Sequence, residues 1–425
     1  MKVLFIHQNF PGQYRHLAAA LAADSGNQVV AVGDAQEAGK RERIPGVHLH
    51  CYESSQGATP STHAYIRNLE SGVRRGQQVC RLILKLRAGG FVPDVICCHP
   101  GWGEGLYVKD VYPNAKVLGY FEFFYHGTGA DVGFDPEFPE SLDDQLRVRT
   151  KNTVQLLSLA SMDWGISPTR WQWSLYPPEY RQKISVIFDG IDTDEIRPAP
   201  EISVGLAERI RLTRNDEVIT FVSRALEPYR GIHTFIRALP ELLRRRPNAR
   251  VIVVGTDQVS YGKSLEQGSY RRRYLDEIGQ KLDLSRVHFT GWLPRHRLND
   301  VLQLSSVHVY LTYPFVLSWS MLEAMSTDTL VIGSRTAPVQ EIIEDGRNGL
   351  LVDFFQPLEI ADAVDRVLSH PDRMQCLRDE ARRTIQQNYD LKTVCLPKQL
   401  KLLRALADGR FDELPADVPE QAAKP

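Results

Sequence analysis

The sequence is short of the features that mark an exported, metal-bound or nucleic-acid-binding chain. Cysteine is scarce, six in 425 residues. Two of the six are adjacent, Cys97 and Cys98, and no CxxC spacing occurs, so neither a disulfide framework nor a zinc pattern is present and the thiols read as reduced and structural. Net charge is nearly nil, with 51 Lys plus Arg against 52 Asp plus Glu. No global basic field therefore argues for nucleic acid. No apolar run approaches the roughly 18 residues of a membrane span, and the opening KVLFI gives way at once to His7, Gln8 and Asn9, too soon for a secretory h-region. The expectation is a soluble cytoplasmic protein.

What is present is a repeated grammar. The length suggests two domains of about 150 to 200 residues each. KVLFI (2–6), QVVAVG (28–33), PDVICC (93–98), AKVLGYF (115–121), WGISP (164–168) and KISVI (183–187) read as strands. Helical spacing fills 14–23, 64–87 and 151–163 between them. After RPAPEISVG (197–205) the pattern restarts, with strands at 217–224, 249–255, 286–289, 307–312 and 329–334 and helices at 231–247, 270–283 and 296–306. Continuous apolar strands alternating with helices imply parallel sheets covered on both faces. Two α/β units in tandem follow, with the working loops after the carboxyl ends of the strands.

Those loops supply the candidates. FPGQ carries Gly12 at a helix start, where backbone can approach a ligand or simply turn. HPGWGEG (99–105) and YFEFFYHG (120–127) carry His99, Glu104, Glu122 and His126. A carboxylate among so many aromatics needs hydrogen-bond partners, so Glu122 calls for either protein donors or ligand hydroxyls. SRALEPYRG places Arg224 and Arg230 around a loop that suits a diphosphate, because each guanidinium offers a fixed fork of donors; surface arginines would look the same. YPFVLSWSMLEAMS (313–326) sets Glu323 into an apolar helix start. The basic amphipathic segment 73–89 suits either an anionic membrane surface or the back of a sheet. The polar stretch 257–273 reads as a mobile insertion near a site.

Taken in order, these loops resemble the retaining sugar-nucleotide-dependent glycosyltransferases of family 4. The resemblance is strongest from 217 to 355, where SRALEPYRG, VIVVG, FTGWL and YPFVLSWSMLEAMSTDTLVIGSRTAPVQEIIEDGRNGLLV trace the family pattern. NFPGQYRHLA, HPGWGE and GYFEFFYHGTGADVGFDPEFP resemble a bacterial, polysaccharide-type subgroup. The fold this implies is GT-B, two Rossmann-like α/β domains facing each other across a cleft. The implied domains are an acceptor-side domain at 1–195 and a nucleotide-sugar-binding domain at 196–390. A C-terminal helix at 391–407 would pack back on the first domain, and 408–425 would be a flexible tail.

The resemblance also implies roles. Arg224 and Arg230 hold the donor diphosphate and, with amides of Leu317, Ser318, Trp319 and Ser320, stabilise the leaving charge; Arg230 stands where the family has lysine. Glu323 accepts hydrogen bonds from ribose, and Gly255, Trp292 and Leu293 enclose nucleotide and base. Gly12 and Gln13 face the donor from the first domain, and Glu122 and His126 lie near the reacting sugar. Phe315 occupies the place of the first glutamate of the E-x7-E pattern, so the family's sugar-recognition rule does not transfer directly. The implied reaction is retaining transfer of a hexosyl group, with UDP-glucose the first choice of donor, to a hydroxyl of a saccharide or lipid-linked saccharide. It needs no metal and no cofactor besides the nucleotide sugar. An epimerase or phosphorylase of the same fold, or a non-catalytic sugar-nucleotide binder, are the alternatives.

Overall fold

A computed structural model describes residues 1–54, 56–207 and 210–415. The chain divides into two compact units, Met1–Asp189 with the chain from Lys392 onward, and Gly190–Leu391.

The first unit is built on seven strands: β1 (Lys2–Ile6), β2 (Gln28–Asp34), β3 (Val47–Tyr52), β4 (Val95–Cys98), β5 (Lys116–Tyr120), β6 (Trp164–Ser167) and β7 (Ile184–Val186). They pair in parallel in the order β3-β2-β1-β4-β5-β6-β7. Both faces are covered, which explains the unbroken apolar runs. Val3 and Phe5 face a core that includes Leu402, Leu403 and Leu406 of helix Leu396–Ala407. Leu4 and Ile6 face the opposite core with Val79 and Ile83 of helix Arg67–Ala88. The strand order reverses between β1 and β4, and the crevice outside the carboxyl ends at such a point is where open α/β sheets bind ligands.

Helix Arg67–Ala88 buries Gly72, Gly76, Val79 and Ile83, with Leu82 and Leu86 packed at the edge of the core. The apolar stripe of the basic segment is therefore spent on the sheet. The glycines let its backbone approach the loop after β4: a Cβ on Gly76 would lie 2.7 Å from the carbonyl oxygen of Gly103. Among the described residues no helix is long and apolar enough to cross a membrane.

The second unit carries a hairpin, β8 (Ser203–Ala207) with β9 (Ile210–Thr213), and six further strands: β10 (Val218–Ala225), β11 (Arg250–Thr256), β12 (Val287–Gly291), β13 (Val307–Tyr310), β14 (Leu330–Ser334) and β15 (Leu350–Val352). The six pair in parallel in the order β12-β11-β10-β13-β14-β15, so order reverses between β10 and β13.

Several elements escaped the sequence pattern. β3 alternates intermediate and exposed residues before Tyr52, since it is an edge strand without the double burial of its neighbours. Helix Leu142–Lys151 buries only Val148 and is fixed by a capping box between Ser141 and Asp144, so it gives almost no apolar period. The helix expected to reach 283 ends at Ile278, where Gly279 adopts positive φ. In the expected tail, Phe411–Glu413 forms a 3-10 turn, and Leu414 is buried in the first unit's core. Residues 416–425 lie outside the described residues.

Candidate functional site

Each sheet presents its own constellation at the carboxyl ends of its central strands.

In the first unit, His7 follows β1, His99 follows β4 and Glu122 follows β5. His7 is 2% exposed. Its Nδ1 accepts from the backbone N–H of Asn9 at 2.9 Å, and its Nε2 lies 2.7 Å from Oε1 of Gln13. Burial, reinforced by the neighbouring His99, lowers the His7 pKa to about 3, so the ring is neutral. Gln13 in turn donates from Nε2 to Oε1 of Glu122 at 3.0 Å. His99 Nε2 stands 3.6 Å from the other carboxylate oxygen of Glu122. Gly12 belongs to this geometry. Its φ is +48°, and a Cβ there would lie 2.5 Å from the His7 ring, so backbone conformation and space both require glycine.

The two other candidates on these loops sit elsewhere. His126 Nε2 is 2.7 Å from the carbonyl oxygen of Leu175, and its ring packs on Phe124. The structure thus ties His126 to the 170–176 segment while it gathers Gln13, His7 and His99 around Glu122. Glu104 is fully buried, accepts from the Tyr52 hydroxyl at 3.0 Å and lies 3.7 Å from Arg75. Burial raises its pKa against the opposing pull of Arg75. It ties the loop to the covering helix.

In the second unit, Arg224 near the end of β10 has an exposed side chain, and its carbonyl accepts from Thr256 Oγ1. Gly255, close behind on β11, packs so tightly that a Cβ would lie 2.8 Å from the Ser223 carbonyl oxygen. Arg230 is buried. Its Nη1 donates to the Tyr310 hydroxyl (3.1 Å), Thr312 Oγ1 (2.8 Å) and the Val316 carbonyl (2.9 Å). Burial opposes its charge, but Tyr310 and Tyr261 outweigh that and raise its pKa. Arg230 is thus a brace across the β10/β13 reversal, with its guanidinium over the rings of Tyr261 and Phe315. Phe315 is 3% exposed and packs against Tyr229 and Tyr261 at 5.3 and 4.8 Å between ring centroids. The position that the family pattern fills with glutamate is here part of an aromatic cluster.

Ser318 caps helix Trp319–Ser326. Its own N–H donates to the Tyr310 hydroxyl at 2.8 Å, and the Ser320 N–H goes to Ser318 Oγ at 3.4 Å. The amides of Ser318 and Ser320 are therefore engaged within the chain. Leu317 is buried, Trp319 is exposed, and Trp292 is 71% exposed beside the half-buried Leu293. Glu323 is buried and forms an ion pair with Arg295 Nη1 at 2.5 Å.

Sequence reasoning passed over His7, Glu227 and Arg295. Glu227 is buried and accepts from the backbone N–H groups of Ser260, Tyr261 and Gly262. It anchors the stretch that reads in sequence as a mobile insertion. His7 carried a signal, a polar residue directly after a strand; the Arg295–Glu323 pair did not, because it forms between two helices distant in sequence. Among the described residues no three His, Cys, Asp or Glu side chains group as a metal-ligand set.

Residues 25–196 match the glycosyl transferase family 4 group, and residues 207–384 match the glycosyl transferases group 1. The chain is 29% identical over 206 residues to a D-inositol 3-phosphate glycosyltransferase of Corynebacterium urealyticum, a match covering 48% of this chain and 47% of that protein. A Rhodococcus jostii protein of the same name is 29% identical over 204 residues, 47% of this chain and 43% of its own. The chain thus spans about half the length of the relatives it matches. In fold it is similar to sucrose-phosphate synthase from Thermosynechococcus elongatus, with TM-score 0.73, 18% identity and coverage of 96% of this chain and 100% of that one. Anabaena HepE in complex with UDP-glucose follows at TM-score 0.64 and 17% identity, with 94% and 99% covered.

Proposed function

We propose that this chain, a GT-B-fold protein related in both halves to glycosyltransferases, transfers a hexosyl group from a nucleotide diphosphate sugar to a saccharide hydroxyl. The transfer proceeds with retention at the anomeric carbon. UDP-glucose is the first donor to try, since a solved neighbour of this fold holds it. The acceptor is a saccharide or lipid-linked saccharide, the reaction uses no metal, and the enzyme works in the cytoplasm.

One observation carries the reading. At the strand-order reversal of the second sheet, an exposed and a buried arginine bracketing one loop and a buried carboxylate from a later helix lie at the same carboxyl edge. An exposed guanidinium suits a diphosphate, and a carboxylate one helical turn inside suits a ribose diol. In this proposal Arg224 reaches the leaving diphosphate, and Arg230 holds the 311–318 loop that receives it. Charge stabilised by fixed donors as the bond to the sugar breaks lowers the barrier directly. Glu323, held by Arg295, binds ribose, with Gly255, Trp292 and Leu293 around nucleotide and base. In the first unit, which takes the acceptor, Gln13 and Glu122 offer hydrogen-bonding groups to a sugar hydroxyl; His126 supports the loop that carries Glu122.

Titration with a panel of nucleotide sugars, followed by UDP-release assays with and without acceptors, tests it. Saturable binding of one donor that Arg224→Ala weakens at least tenfold is the expected result. Turnover of donor without any acceptor, or phosphate acting as cosubstrate, assigns the chain to another reaction.

A further inference from the structure

His7 and His99 flank the strand-order reversal of the first sheet, and no role has yet fallen to them. The hydrogen-bond directions around them are determined. Because the Asn9 N–H is donated to His7 Nδ1, a neutral His7 carries its hydrogen on Nε2 and donates it to Gln13 Oε1. That fixes which way the Gln13 amide faces, so its nitrogen donates to Glu122 Oε1. In the second branch the Gly101 N–H points at His99 Nδ1 at 3.3 Å. The His99 hydrogen then also sits on Nε2, which is buried, makes no hydrogen bond and stands 3.6 Å from Glu122 Oε2.

The plane of the His99 ring is set by its aromatic neighbours. His99 lies between Trp102, stacked at 4.2 Å and 18°, and Tyr120 at 5.6 Å and 24°. The Glu122 backbone is held by Gln172 Nε2, 2.6 Å from its carbonyl. Gln13 thus donates to one oxygen of a carboxylate whose side chain is 29% exposed, and the His99 Nε2 edge is held 3.6 Å from the other without a hydrogen bond. Among the described residues, Tyr120, whose hydroxyl is committed to Asp189, and the buried Tyr176 are titratable groups coupled to Glu122.

We propose that His7 and His99 are positioning residues that act through Glu122, keeping its carboxylate ionised and turned as a hydrogen-bond acceptor toward a saccharide hydroxyl. A donor bonded to one oxygen and a second N–H held close to the other favour the charged form, and a protonated Glu122 would set a hydrogen against one of them. The inference rests on the reading that Glu122 meets the sugar.

The test is the pH profile of kcat/KM for the fastest donor of the panel, read as UDP release. His99→Phe and His7→Phe remove one donor branch each, and the acid limb moves up by about one pH unit, a tenfold loss on its slope. His99→Gln, which returns an N–H to the same place, restores the limb. Loss of rate with an unmoved limb overturns the proposal and leaves the histidines as packing residues. NMR of 15N-labelled histidine in the wild-type chain gives a readout independent of folding in the variants: both rings carry hydrogen on Nε2, and hydrogen on Nδ1 of either overturns it. Glu122→Gln separates the layers. Unchanged UDP release removes the reading of Glu122 and the histidine inference with it, whereas lost release beside unmoved histidine profiles removes the inference alone.

Discussion

Glu323 is a buried carboxylate neutralised by Arg295, whose side chain is 39% exposed, so its replacement separates binding from folding. A hydrogen bond to a charged group contributes about 1.5 to 3 kcal/mol. Glu323→Gln is therefore expected to weaken UDP binding roughly tenfold to a hundredfold, measured by calorimetry, while the melting temperature changes little because Arg295 regains water. Two other buried side chains set a pH dependence. His7 and His308 both have pKa values lowered to about 3, by burial above all. The unfolded chain takes up protons on them near the ordinary histidine value, and the native chain does not until about pH 3. Their contribution is complete above pH 6.5 and falls as pH drops through the window between, by about 1.4 kcal/mol per pH unit for each. Denaturant melts of His308→Asn between pH 5 and 6 are expected to show a shallower slope than the parent by about that amount.

At the level of elements, the covering helix Arg67–Ala88 shows how local preference yields to packing. Alanine is the better helix former, and Gly→Ala in an open helix stabilises by about 0.5 to 1 kcal/mol. At Gly76 the new methyl meets the backbone oxygen of Gly103 at 2.7 Å, and backbone cannot step aside cheaply. Gly76→Ala is therefore expected to destabilise by about 1 to 3 kcal/mol, whereas Leu84→Ala on the exposed side of the same helix changes stability by less than about 0.5 kcal/mol. Thermal melts of the two variants check the sign as well as the size. The periodic residues of this helix were legible in sequence; its inward stripe of glycines was not, since a small residue signals nothing until the surface it approaches is known.

At the scale of the whole molecule, the first unit is discontinuous in sequence. Leu402, Leu403 and Leu406 complete the same core as Val3 and Phe5, and burying each leucine is worth about 1.5 to 3 kcal/mol. A fragment of residues 1–189 is expected to lack a cooperative melt, while residues 190–391, which contain the whole six-stranded sheet and both its covers, are expected to melt cooperatively by circular dichroism. A cooperative melt of the shorter fragment would show the C-terminal helix to be dispensable.

The sequence by itself determined the two parallel sheets, because strands buried on both faces must be continuously apolar and the helices between them must carry a 3.6-residue stripe. It also placed the candidate residues on loops after strand ends, which follows from the same alternation. Only the tertiary structure decided which loops meet. His7, Gln13, His99 and Glu122 converge because the strand order puts β4 beside β1 and β5 beside β4, and Glu323 has its arginine because two helices from distant segments come together. Strand order and helix placement are settled by the competition among whole-sheet packings, to which no local window of residues has access.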